Sequence, residues 1–160
     1  MHFAEYNRNE AVEYAKTWAM ARNSQYLNFD GIGGDCTNFA SQCLFTGIGI
    51  MNYTKDIGWY YNSPADRAAA WSDAGYFRKF MLSNTSEGPF GNSAPINNLE
   101  KGDFISLNNG IEYYHTLVVT GFENNEPLVC AHTDDSYMRK LSTYHYISAQ
   151  GIHILGGNRL

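Results

Sequence analysis

Apolar residues recur along the first half of the chain with helical spacing. Ala11, Tyr14, Ala15, Trp18 and Ala21 share one helical face, and Asn7-Arg8-Asn9-Glu10 before them offers an N-cap and a first-turn acid. This predicts a helix over 10–22. Phe39, Ala40, Cys43 and Leu44 follow Cys36 at i+3, i+4, i+7 and i+8, which predicts a second helix over 36–46. Gly33-Gly34 allows a tight entry to it, and Asp35 is a good N-cap residue. Ser72 can cap a third helix, to residue 82, with Ala74, Phe77, Phe80 and Met81 on one face. Between the second and third lies an irregular region anchored by Trp59-Tyr60-Tyr61 and Trp71, and residues 83–98 read as surface loop.

The second half changes to a strand pattern. Asp103-Phe104-Ile105-Ser106-Leu107 is a short strand entered through Lys101-Gly102. The run from Thr116 to Phe122 is β-branched and apolar, the strongest strand in the chain. Glu123-Asn124-Asn125-Glu126 forms a turn, and Leu128 to His132 returns as the hairpin partner. Residues 144–147 and 152–155 are the last predicted strands. Helices followed by an antiparallel sheet give the α+β class in one domain over residues 1–160.

Composition then excludes several function classes. A net charge of −5 without a Lys/Arg cluster argues against nucleic-acid binding and gives no attraction to anionic lipid. No apolar run reaches transmembrane length, and the first ten residues hold no signal-type apolar core. A monomer is expected, either intracellular, phage-encoded or cut from a longer exported protein. Cys36 and Cys43 lie two helical turns apart and Cys130 is remote, so all three cysteines read as free thiols.

Cys36 occupies the chemically distinctive place. In the first turn of a helix, unpaired N–H groups and the macrodipole favour a thiolate, as a nucleophile requires. Asp35 is expected to turn back as the cap and away from the sulfur. His115 opens the strongest strand, and a turn centred on Asn124-Asn125 brings it near residues 132–134. His132, Thr133 and Asp134 then stand beside it, completing a Cys-His-polar arrangement in which the third group orients the imidazole. The Cys36 N–H offers an oxyanion donor, with Tyr26 a candidate for a second.

Several of these motifs occur together in one family. Tyr6-Asn7-Arg8 with Ala11 through Ala19, Gly34-Asp35-Cys36-Thr37-Asn38-Phe39 with Ser41-Gln42-Cys43-Leu44, Trp59-Tyr60-Tyr61, Gly102-Asp103, and His115-Thr116-Leu117-Val118-Val119-Thr120-Gly121 form the set. With them the chain resembles the putative amidase domain family of bacterial and phage proteins, itself similar to the papain-like NlpC/P60 and CHAP peptidases. The resemblance implies a papain-like fold, Cys36 as nucleophile, His115 as base, and a third polar residue within Ala131-His132-Thr133-Asp134. His132 is favoured there and Asp134 is the alternative. It also implies amide hydrolysis in peptidoglycan and a wall-directed, extracellular setting, with no cofactor. Tyr113-Tyr114 stands where relatives often carry a polar or acidic residue, which bears on substrate preference.

Two other readings compete. Cys36, His115, His132 and Asp134 include zinc-ligand types, but no pair has a short ligand spacing such as C-x-x-C. A non-catalytic module holding a glycan or peptide on Trp59, Tyr60, Tyr61, Tyr113 and Tyr114 is the other. Substrate specificity is expected to reside in loops 47–70 and 83–100.

Overall fold

A computed structural model describes the whole chain, Met1–Leu160. After a short strand β1 (His2–Ala4) come helices α1 (Arg8–Trp18) and α2 (Cys36–Ile48). A two-stranded ribbon follows, β2 (Tyr61–Ser63) with β3 (Asp66–Arg67), then the single turn α3 (Ala69–Ser72) and helix α4 (Ala74–Ser83). The remaining strands are β4 (Gly88–Ala94), β5 (Phe104–Asn108), β6 (Tyr113–Glu123), β7 (Glu126–Ala131), β8 (Ser136–Lys140) and β9 (Ser148–Arg159). The main sheet is antiparallel, in the order β1-β9-β5-β6-β7-β8, with β4 also paired to the long β9, so the sheet curls on itself. The α+β class is that expected.

Local signals account for the best-anticipated elements. Asn7 caps α1, its Oδ1 accepting from Glu10 N–H at 3.1 Å. Asn124 and Asn125 both take positive φ, 51° and 65°, and form the tight turn between β6 and β7. The apolar run of β6 is buried on both faces, which explains its near-continuous hydrophobicity. Phe104, Val118, Cys130, Ile152 and Ile154 face the helices, while Ile105, Leu107, Leu117, Val119 and Val129 face a smaller core closed by Leu99 and Leu141.

Elsewhere the boundaries move. α1 stops at Trp18, short of residue 22, and α4 is capped by Asp73, whose Oδ1 accepts from Tyr76 N–H, while Ser72 ends α3. Residues 88–94 are strand β4 and not loop: glycine, proline and asparagine suit this edge because it runs against β9 at close range. A Cβ on Gly91 would meet the His153 carbonyl oxygen at 2.4 Å. Residues 144–147 form no strand, whereas the polar segment of β8 does, and β9 extends well beyond 152–155.

The polar positions of α2 from Thr37 to Gln42 are buried as well as its apolar face, and each finds a partner. Ser41 accepts from Trp59 Nε1 at 3.0 Å and donates to the Trp71 carbonyl at 2.8 Å. Asn38 accepts from Trp71 Nε1 and donates to the Leu27 carbonyl, both at 2.9 Å. At the other end of the core Asp103, fully buried, accepts from Arg8 at 2.7 Å, His153 Nδ1 at 2.8 Å and Ile154 N–H at 2.9 Å. These bonds tie α1 to the start of β5 and to β9, and they fix α2 between the 59–71 segment and the sheet.

Candidate active site

Cys36 is the first residue of α2 and is 7% exposed. The chain reaches it through Gly34, whose φ of 98° suits glycine and whose missing Cβ leaves room for the Thr133 hydroxyl, 3.0 Å from where that atom would stand. Asp35 N–H donates to the same hydroxyl at 3.2 Å.

Asp35 does not cap the helix with its side chain. Its Oδ1 accepts from Phe29 N–H at 2.8 Å and Asn38 Nδ2 at 2.9 Å, and its Oδ2 accepts from His132 Nδ1 at 2.5 Å. Arg22 approaches the same oxygen at 3.5 Å while bridging Asp30 and Asp135, both at 2.8 Å. Burial pushes the Asp35 carboxyl up, but the bonds from His132, Phe29 and Asn38 outweigh it and hold the group below its usual range. The carboxylate thus serves the loop and His132 in place of the helix end.

His132 was expected beside His115; its ring lies elsewhere. It stacks on Phe39 of α2 with centroids 3.9 Å apart, and its Nε2 faces the Trp18 carbonyl at 2.7 Å. The two ring nitrogens thus face the Asp35 carboxylate and the Trp18 carbonyl. The reason is a register shift. Near the turn the hairpin pairs Phe122 with Pro127 and Gly121 with Leu128, but beyond a bulge at Thr120 it pairs Val119 with Val129 and Val118 with Cys130. A slip of one residue changes the face. Continued onward, the shifted register sets His132 opposite Thr116 on the helix side and not on the face of His115. The alternative, Asp134, is exposed and lies 3.7 Å from Arg139.

His115 shares its sheet face with Leu117 and Val119 and is 7% exposed. A second bulge lies beside it: Leu107 pairs with His115 and Asn108 with Tyr113, leaving Tyr114 as the extra residue. The imidazole meets Tyr144 edge-on with centroids 5.7 Å apart, and its Nδ1 is buried without a hydrogen-bond partner. Burial, and then the Arg139 charge, lowers its pKa to about 4, although the Asp134 carboxylate acts the other way. At neutral pH the ring is therefore uncharged, as a general base must be.

The helix start reaches His115 through the neighbours of each residue. Thr37 and Thr116 share a hydroxyl–hydroxyl bond of 2.9 Å, and the Cys36 sulfur lies 3.7 Å from the Thr37 hydroxyl. The sulfur also lies against the backbone N–H of Thr116. β7 joins β6 only from Val118 onward, so the thiol meets the open edge of β6, at the margin between the two faces. Burial raises the Cys36 pKa above the ordinary thiol value, and the bonds from Thr116 and Thr37 offset this only in part. The thiolate favoured by helix position alone is not the resting form. The site at rest is a neutral thiol beside the strand that carries a neutral imidazole.

Other candidates pack in or against the main hydrophobic core. Tyr26 packs against Tyr61 and stacks on Trp71, at centroid distances of 5.1 and 5.9 Å. Trp59 and Tyr60 are core residues, which removes two anchors of a surface binding module. No group of three or more His, Cys, Asp or Glu side chains is arranged to hold a metal ion. Sequence reading placed Thr37 and Thr116 within motifs without giving them a role, and missed Tyr144 and Arg22, which matter through tertiary neighbours.

Comparison with known proteins adds the family. A protein of Bacillus subtilis (strain 168), uncharacterized protein YhbB, is 34% identical over 143 residues. The match covers 84% of this chain but 44% of that protein, so the chain spans less than half the length of this relative. No solved structure matches. The family model described as Putative amidase domain matches residues 5–155, nearly the whole chain and all the site residues above, and on that match the protein belongs to the Putative amidase domain family.

Proposed function

We propose that the protein is a cysteine amidohydrolase acting on an amide bond of peptidoglycan. Membership of an amidase family supports hydrolysis of an amide. The observation that carries the cysteine assignment is the Thr37–Thr116 contact, which docks the helix start bearing Cys36 onto the strand bearing His115. In this reading the Cys36 thiol gives its proton to His115, whose unpartnered Nδ1 is free to accept it, as the sulfur attacks the substrate carbonyl. The Cys36 N–H, at the start of α2, donates to the developing oxyanion. Collapse expels the amine, to which His115 returns the proton, and leaves a thioester. Water, activated by His115, then releases the acid and restores the thiol.

Because the resting pair is uncharged, the thiol proton has to pass to His115 within the catalytic cycle. His132 acts here as the partner that fixes Asp35, and so the approach to Cys36, rather than as the orienter of His115. Soluble muropeptides incubated with the protein test the reading. Mass spectrometry is expected to show fragment pairs whose masses sum to substrate plus one water. Their equal formation by Cys36→Ala would remove the cysteine from the chemistry.

A further inference from the structure

A row of polar residues crosses the helix-facing side of the sheet at the level of the site. Thr116 on β6 pairs with Ser106 on β5, and Ser106 pairs with Gln150 on β9. The row thus begins at the Thr37 contact beside Cys36. Two strand spacings carry it roughly 10 Å across the sheet. Ser106 is fully buried and its hydroxyl has no partner. At the far end Gln150 is held by Ser93, to whose hydroxyl its Nε2 donates at 2.9 Å. Its Oε1 accepts from Tyr113 at 3.4 Å and from the Nε of Arg78.

Of the six arginines, Arg67, Arg78 and Arg159 make no ion pair, and Arg67 donates instead to Ser72 and the Pro64 carbonyl. Arg8, Arg22 and Arg139 all face carboxylates, whereas Arg78 faces none. Its guanidinium lies over the Tyr113 ring, 4.3 Å from the centroid, and only its Nε is hydrogen-bonded. Both terminal nitrogens therefore lack protein partners. The residues that orient it, Tyr113 and Gln150, line a cavity of about 430 Å³ together with Ser93, Pro95 and Ser148. A guanidinium stacked on one face, fixed at Nε and open at both Nη groups is arranged for bidentate recognition of a carboxylate.

We propose that Arg78 binds a free carboxylate of a peptide substrate attacked by Cys36, and so selects leaving amines that end in an acid. This rests on the amidohydrolase reading and names a specificity residue for it.

The test uses a matched pair of soluble stem peptides that differ only in a C-terminal carboxylate or carboxamide. For the wild-type protein we expect kcat/KM to favour the acid about tenfold or more, the difference residing in KM. The ratio is expected to fall to near one in Arg78→Gln and to recover in part in Arg78→Lys, which keeps the charge without the fork. Binding of both peptides to Cys36→Ala, measured calorimetrically, gives the same discrimination without turnover. Hydrolysis of both peptides with a ratio near one in the wild type, or a ratio unaltered by Arg78→Gln, overturns the inference and leaves the amidohydrolase reading intact. Arg78-dependent preference in binding with no hydrolysis of either peptide sustains the carboxylate site and counts against the enzyme.

Discussion

Asp35 and His132, 97 residues apart in sequence, meet in a hydrogen bond of 2.5 Å immediately before the candidate nucleophile. The pair is almost wholly buried. His132 follows the end of β7, so this one contact joins the entry to α2 to the end of that strand. Removing one partner of a buried pair leaves an uncompensated charge, and His132→Ala is expected to cost about 3–5 kcal/mol in urea unfolding. Were His132 instead the orienter of His115, activity would fall with little change in stability.

The Asp35 carboxyl is held below its usual range, so the stability it contributes is present above the ordinary carboxylate pKa and is lost as pH falls through the lowered value. Acid unfolding of the wild type is expected to be steeper than that of Asp35→Asn below about pH 4. Circular dichroism at a series of pH values checks this.

His115 acts in the same sense at higher pH. Its folded pKa is about 4 against 6.5 for the free ring, so the unfolded chain binds a proton between these values and the folded chain does not. Stability therefore declines as pH falls from 6.5 toward 4, by about 2 kcal/mol at pH 5. His115→Gln is expected to remove that decline, and the acid limb of activity is expected near pH 4. An NMR titration of the wild-type imidazole with a midpoint near 6.5 would contradict the assignment.

The Cys36 thiol is buried and raised, so iodoacetamide at about pH 6 is expected to label it slowly, no faster than an unperturbed thiol. Labelling is expected to speed up with pH through the alkaline range. Rapid labelling at pH 6, located by mass spectrometry at Cys36, would mean a resting thiolate and hence a site arranged differently from the one described.

The Thr37–Thr116 hydroxyl pair predicts an energetic coupling. In a double-mutant cycle with valine at each position, the interaction is expected to be about 1 kcal/mol. Zero coupling would show that the two hydroxyls do not hold the helix start against β6.

Much of this arrangement is legible in the sequence because its signals are local. The Cys36 helix follows from a period carried within a dozen residues, and the β6–β7 hairpin from Asn124-Asn125 between two apolar runs. What is not legible depends on distant partners. β4 hides its strand character behind Gly88, Pro89, Gly91 and Asn92, whose suitability appears only against β9. β8 is a polar edge strand without alternation. The place of His132 turns on the bulge at Thr120, a shift of one residue that composition does not announce. Likewise, helix position favours a Cys36 thiolate, while the burial that opposes it comes from the sheet.

The most direct measurement is the release of new primary amines from purified cell walls by equal concentrations of folded wild-type, Cys36→Ala and Cys36→Ser protein. The account predicts release by the wild type and a rate at least about a thousandfold lower for Cys36→Ala, with Cys36→Ser no better than a weak nucleophile. Equal release by all three would contradict it.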